Sequence, residues 1–90
     1  MQILTKSHTL CRLHTIVLEP EDLNSPLEYL CRQVLNLVKG NDRINIDGEE
    51  LFCERNGQVS YSYGWHTYDA EDEIRKILVN ALSKITPASV

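Results

Sequence analysis

Three groups of side chains in this 90-residue sequence have the types and spacing to do chemistry. His8, Cys11 and His14 are ligand-type residues spaced three apart, with Cys53 as a possible fourth, and such a set would suit zinc if it closed into a tetrahedron. The stretch that carries them reads as a β-strand, however, and on a strand residues 11 and 14 point to opposite faces. No metal site is expected, and the group reads as two exposed histidines and one buried thiol. The same residues raise a Cys–His nucleophile, which needs a thiolate in an accessible, electropositive place. Cys31 and Cys53 instead fall on apolar faces of their segments, where cysteine behaves as a small apolar residue. No Gly-rich phosphate loop, nucleophile elbow, His-Glu-x-x-His or EF-hand pattern occurs, and 4 glycines leave little material for one. The expectation is a non-enzyme that needs no cofactor.

The second group is aromatic: Tyr61, Tyr63, Trp65 and Tyr68. Stacking platforms for single-stranded nucleic acid use such residues beside cations. Here the expected neighbours include Glu50, Glu54 and Asp69, so core packing is the reading for Tyr61 and Tyr63. Trp65 and His66, beside a turn, read as an exposed pair, and a tryptophan at a rim is a protein-binding anchor. The third group is acidic: Glu19-Glu21-Asp22, Asp47-Glu49-Glu50 and Asp69-Glu71-Asp72-Glu73. These clusters either meet a basic partner surface, where charge complementarity speeds association, or are solvated loops and helix starts.

The elements that must position these groups follow from periodicity. Residues 10–18 read as a strand with Cys11, Leu13, Thr15 and Val17 on one face, Arg12 and His14 on the other, and Ile16 out of pattern. Glu19-Pro20 ends it. Ser25, Pro26 and Glu28 form a helix start with a capping box, followed by the apolar stripe Leu27, Leu30, Cys31, Val34 and Val38, with Gly40 as the stop. Residues 43–46 and 49–54 are strands joined by Asp47-Gly48, which sets Ile46 opposite Glu49 and Ile44 opposite Leu51. The next turn admits two registers. A three-residue loop Arg55-Asn56-Gly57 gathers Leu51, Cys53, Val59, Tyr61, Tyr63 and Trp65 on one face and leaves Phe52 among polar residues on the other, and this register is expected. Asp69 caps the last helix, whose stripe is Ile74, Ile77, Leu78, Ala81, Leu82 and Ile85. Thr86-Pro87 stops it, and residues 86–90 read as a loose tail.

One domain is expected: an α+β two-layer sandwich of order β-α-β-β-β-α, with a three- to four-stranded antiparallel sheet and two helices on one face. Residues 1–9 are either a mobile arm or a short further strand. A chain of this length buries only roughly 60–65% of its unfolded surface, which leaves room for a homodimer. The helix-strand-strand-strand-helix order from Ser25 onward resembles the topology of double-stranded-RNA-binding domains, in topology alone. Such domains reach phosphates, and the acidic turn at Asp69, Glu71, Asp72 and Glu73 speaks against that use here. The net charge of −4 likewise argues against affinity built on phosphate neutralisation. Three unpaired-looking cysteines fit a reducing cytoplasm better than a secreted disulfide framework. The N-terminus does not read as a signal peptide, and no apolar run is long enough for a bilayer.

The functional expectation is an interaction or regulatory module, an adaptor or inhibitor, that binds a protein partner through its acidic rim and open sheet face. Trp65, His66, Phe52, Glu50, Glu54, Glu71 and Asp72 are the candidate contact residues. The alternative is a nucleic-acid-binding module using the sheet face with Arg12, Arg43 and Arg55.

Overall fold

The computed structural model describes residues 1–87. Its elements in chain order are β1 (Gln2–Ser7), β2 (Arg12–Val17), a 3-10 turn (Pro20–Asn24), α1 (Leu27–Leu35), β3 (Arg43–Ile46), β4 (Glu49–Cys53), β5 (Gln58–Tyr61), β6 (Thr67–Asp69) and α2 (Ala70–Ser83). The fold is α+β, as expected, but its sheet has six strands and is mixed, with spatial order β1-β2-β3-β4-β5-β6. Neighbours pair antiparallel except β2 and β3, which are parallel and joined through α1. The expected antiparallel sheet of three or four strands in the order β-α-β-β-β-α is corrected to β-β-α-β-β-β-β-α. The two added strands are the outermost ones. Residues 1–9, read as an arm or a short strand, supply the six-residue β1, and Thr67–Asp69 supply β6.

Turn chemistry sets the middle of the sheet. Asp47 and Gly48 both adopt positive φ, 53° and 85°, the requirement of a type I′ hairpin. Ile46 then faces Glu49 and Ile44 faces Leu51. At the second hairpin the Glu54 N–H donates to the Gln58 carbonyl at 2.8 Å. That closes the three-residue loop Arg55-Asn56-Gly57, in which Asn56 and Gly57 take φ of 62° and 71°. Leu51 pairs with Tyr61 and Cys53 with Val59 on the helix-covered face, while Phe52 pairs with Ser60 on the other. The strand does not continue, however: β5 ends at Tyr61, so Tyr63 and Trp65 leave the face they were expected to share.

In β2 the faces are the reverse of the alternation read from sequence. His14 and Ile16 are buried, and Leu13, Thr15 and Val17 lie toward the uncovered face. Ile16 is therefore in pattern, and His14 fills a core-face position because its ring is satisfied there. Its Nδ1 lies 2.9 Å from Thr5 Oγ1 and its Nε2 3.0 Å from Asp42 Oδ2. A buried polar ring is tolerated when both nitrogens have partners.

The helices pack on each other and onto one sheet face. Leu30 and Val34 of α1 and Ile74 and Leu78 of α2 share a core with Ile44, Ile46, Leu51 and Val59. Helix α1 starts with Pro26 at the cap position, and the expected Ser25–Glu28 capping box does not form. Glu28 instead accepts from the Arg75 guanidinium of α2 at 2.7 and 3.1 Å. The helix also ends at Leu35, short of Gly40, because Leu37 and Val38 turn inward with N–H donors reaching Val34 and Leu35. Helix α2 is capped as expected, with Asp69 Oδ2 accepting from the Asp72 N–H at 3.2 Å. Ala88, Ser89 and Val90 of the expected tail lie outside the described residues. Among the described residues no helix is long and apolar enough to cross a membrane.

Candidate protein-interaction surface

The aromatic group is built on Tyr61, the last residue of β5. Its ring is half-buried and its hydroxyl donates to a carboxylate oxygen of Glu73 in the first turn of α2. Burial, then the hydrogen bond and the charge of Glu73, push the Tyr61 hydroxyl above its ordinary value of 10. Tyr61 is thus a fixed post. Tyr63 stacks on it with ring centroids 5.4 Å apart and planes at 23°, and Tyr68 meets it edge-on at 5.7 Å and 75°. A cleft of about 410 Å³, within the size range of ligand sites, opens here between Asp47, Glu49, Tyr61, Tyr63, Lys76 and Asn80.

After Tyr61 the chain turns, with the Gly64 N–H donating to the Tyr61 carbonyl at 3.2 Å. This turn throws residues 62–66 out of the sheet. Tyr63 remains 80% exposed and Trp65 100% exposed. Trp65 and His66 are both exposed, as their place beside a turn predicts, but Trp65 stands wholly in solvent on the loop between β5 and β6 and not at the rim of the helix-covered face. A tryptophan that buries none of its surface gains nothing for the fold from its size.

The other candidate residues divide between two surfaces. Glu50 and Phe52 lie two apart on the open face of β4, and Arg43 of β3 spans both. Its guanidinium is 4.9 Å from the Phe52 ring centroid and 3.7 Å from Glu50 Oε1. Glu54, the residue after β4, accepts from Ser60 Oγ at 2.8 Å. Glu71 belongs to the helical layer and lies 3.2 Å from Arg75, which also holds Glu28. Asp72 is exposed next to it. The structure therefore joins Glu50, Phe52 and Glu54 on the sheet, and Glu71 and Asp72 on α2, with Trp65 and His66 on the loop that leads to α2.

Of the residues raised for metal or nucleophile chemistry, His8 is exposed as expected, whereas Cys11 is only half-buried and His14, read as exposed, is buried. His14 is held between Thr5 and Asp42, and among the described residues no three His, Cys, Asp or Glu side chains converge on a metal-sized site. Burial pushes the thiols of Cys31 and Cys53 up, away from the thiolate. Two of the alternative's basic residues have acidic neighbours: Arg12 lies 3.4 Å from Asp42, and Arg43 is beside Glu50.

Sequence reasoning set Glu73 in an acidic rim or a solvated helix start, whereas it is buried, and it missed Asp42. Glu73 had a signal, since it falls in the buried stripe of α2 with Ala70, Ile74, Ile77 and Ala81. Asp42 had none, because its partners His14 and Arg12 are 28 and 30 residues away. The chain matches no family model and no curated protein, and no solved structure matches it.

Proposed function

We propose that this chain is a small non-enzymatic interaction module, an adaptor or inhibitor, that binds a protein partner through the loop of Tyr63, Trp65 and His66 and the acidic start of α2. The carrying observation is the pairing of a fully exposed Trp65 with a fixed aromatic base, Tyr61 and Tyr63, immediately before it. Large aromatic side chains have few rotatable bonds to fix on binding and are enriched among the residues that dominate interface energetics. Glu71, Asp72 and the open-face residues Glu50, Phe52 and Glu54 supply a polar, acidic surround suited to a basic partner surface. The partner's side of the contact is a pocket that accepts an indole, with basic groups at its margin. Three free cysteines, two of them buried, favour a reducing compartment such as the cytoplasm.

The nucleic-acid reading has weaker support, since Arg12 and Arg43 are drawn toward acidic neighbours within the chain. Affinity capture from the native cell separates the two. Wild-type protein is expected to retain a protein partner in nuclease-treated extract, and Trp65→Ala to lose it. Retention that vanishes with nuclease, or that Trp65→Ala leaves unchanged, would refute the proposal. Trp65 is the sole tryptophan, so its emission also reports its own burial, and a blue shift on mixing with the captured partner is expected.

A further inference from the structure

Strand β1 forms one edge of the sheet, and its hydrogen-bonding pattern leaves a regular set of backbone groups facing outward. The His8 N–H donates to the Cys11 carbonyl at 2.8 Å across the β1–β2 turn. Hydrogen-bonded and non-hydrogen-bonded pairs alternate along an antiparallel ladder. With His8 opposite Cys11 a bonded pair, and the register Ser7↔Arg12 through Gln2↔Val17, the even residues of β1 bond to β2. The N–H and C=O groups of Ile3, Thr5 and Ser7 therefore point away from the molecule. All six residues of β1 are exposed, Leu4 at 56% and Ile3 at 37%.

Edge strands of this kind are ordinarily blunted by proline, bulges, shortness or several charges. β1 has no proline and pairs with β2 without a bulge, and Lys6 is its single charge. Its start is also tethered, since the Met1 amino group donates to the buried Asp22 carboxylate at 2.9 Å. The strand is thus regularly paired, tethered at its start and unprotected along its outer edge.

We infer that β1 pairs with β1 of a second copy of this chain, antiparallel and centred on Leu4, to make one continuous sheet across two molecules. Outward-facing groups must meet outward-facing groups, so odd residues must lie opposite odd residues. Centring on Leu4 sets Ile3 opposite Thr5 of the second copy and Thr5 opposite its Ile3, as hydrogen-bonded pairs. Leu4 then faces Leu4 of the second copy, and Gln2 faces its Lys6, at the non-bonded positions where side chains approach most closely. The half-exposed leucines cover each other, and the lysine meets an amide instead of another lysine. The strand is complementary to itself in this register, and this selects a second copy over an unrelated extended peptide. Equal parity also keeps both pairs of helices on the same side of the joined sheet. The β6 edge and its Trp65 loop lie at the far end from β1, so this pairing neither uses nor rests on the partner-binding surface.

Pairing through one short strand buries less than the roughly 1,200 Å² of standard interfaces, so a dissociation constant in the micromolar range is expected. Sedimentation equilibrium from about 10 μM to about 1 mM is expected to show a monomer–dimer equilibrium for the wild type. Leu4→Lys, an exposed substitution that sets like charges opposite each other, is expected to weaken it at least tenfold. Ile3→Pro removes an outward donor while leaving the bonds of the even residues to β2, and is expected to do the same, with circular dichroism confirming that both variants remain folded. In a Cys11→Ser background, Leu4→Cys is expected to form a symmetric intermolecular disulfide on mild oxidation, whereas Thr5→Cys is not. A wild type that stays monomeric throughout, a dimer indifferent to Leu4→Lys, or cross-linking at Thr5→Cys in place of Leu4→Cys would overturn the inference.

Discussion

Removing the carboxylate of Asp42 strikes the buried polar joint between β2 and β3. Asp42 is 5% exposed and accepts from His14 Nε2 at 3.0 Å and from the Arg12 backbone N–H at 3.3 Å. In Asp42→Ala both donors lose their acceptor, and the imidazole is itself buried. A stranded buried donor costs about 1–3 kcal/mol, and water partly replaces the acceptor at the more exposed Arg12, so a loss of about 2–4 kcal/mol is expected. In a chain of this size that lowers Tm by roughly 10–25 °C. Asp42→Asn keeps an acceptor oxygen for His14 and is expected to lose about half as much. The pH dependence carries a sign. Burial alone would raise the Asp42 pKa, but the hydrogen bonds from His14 and Arg12 and the charge of Arg12 outweigh it and hold the carboxyl below its ordinary 3.8. A depressed folded value gives stability that is present above the unfolded value and lost as pH falls through the folded one. The gap between wild type and Asp42→Asn should therefore narrow below about pH 4. Urea denaturation followed by far-ultraviolet circular dichroism at neutral and acid pH measures both effects; fluorescence is a poor probe of unfolding because Trp65 is already in water. A loss below about 1 kcal/mol for Asp42→Ala, or a gap that widens on acidification, would refute the reasoning.

The other expectations concern the aromatic post, the anchor and a turn. Tyr61→Phe strands the buried Glu73 carboxylate and is expected to cost about 1–3 kcal/mol by thermal or urea unfolding. Because the folded Tyr61 pKa is raised, wild type should also lose stability above its ordinary value of 10 in a way that Tyr61→Phe does not, which urea titrations at alkaline pH would show. Trp65→Ala is expected to change stability by no more than about 0.5 kcal/mol while weakening partner binding by about 2 kcal/mol or more, a split that calorimetry with the captured partner can read. In Gly57→Ala the added Cβ meets no atom within 4 Å but the residue must hold a φ of +71°, so its expected cost of about 1–2 kcal/mol is backbone strain alone, measured as a shift in urea midpoint.

The parts legible in the sequence are those decided by neighbours in the chain. Asp47-Gly48 and Arg55-Asn56-Gly57 carry their own backbone geometry, and with it the register of β3, β4 and β5. The stripe of α2 and its Asp69 cap are equally local. The face of β2 was not legible, because alternation favoured Leu13, Thr15 and Val17, whereas His14 is held inward by Asp42 from the far side of α1. Ser25 has the type of a cap, but Glu28 is drawn across to Arg75, a contact between helices that spacing does not reveal. The exposure of Trp65 depended on where β5 stops. A run of Tyr61, Tyr63 and Trp65 alternates well enough to continue a strand, and only the turn closed by Gly64 on Tyr61 takes the last two away.

The order of the sheet follows the order of the chain, and this bears on how the protein emerges during synthesis. Most strands pair with a neighbour made a few residues later, but β2 waits for β3, which begins 26 residues after β2 ends, at Arg43 against Val17. At ordinary synthesis rates that is about one to five seconds. A β1–β2 hairpin formed before β3 would show water an unpaired inner edge and a future core face. At the centre of that face stands His14, a residue content in water, where Leu or Val would make the half-built sheet adhesive. When Asp42 arrives, just ahead of β3, the same ring becomes part of the closed joint. A histidine there suits both environments, solvent while a sheet is unfinished and a hydrogen-bonded interior once it is complete.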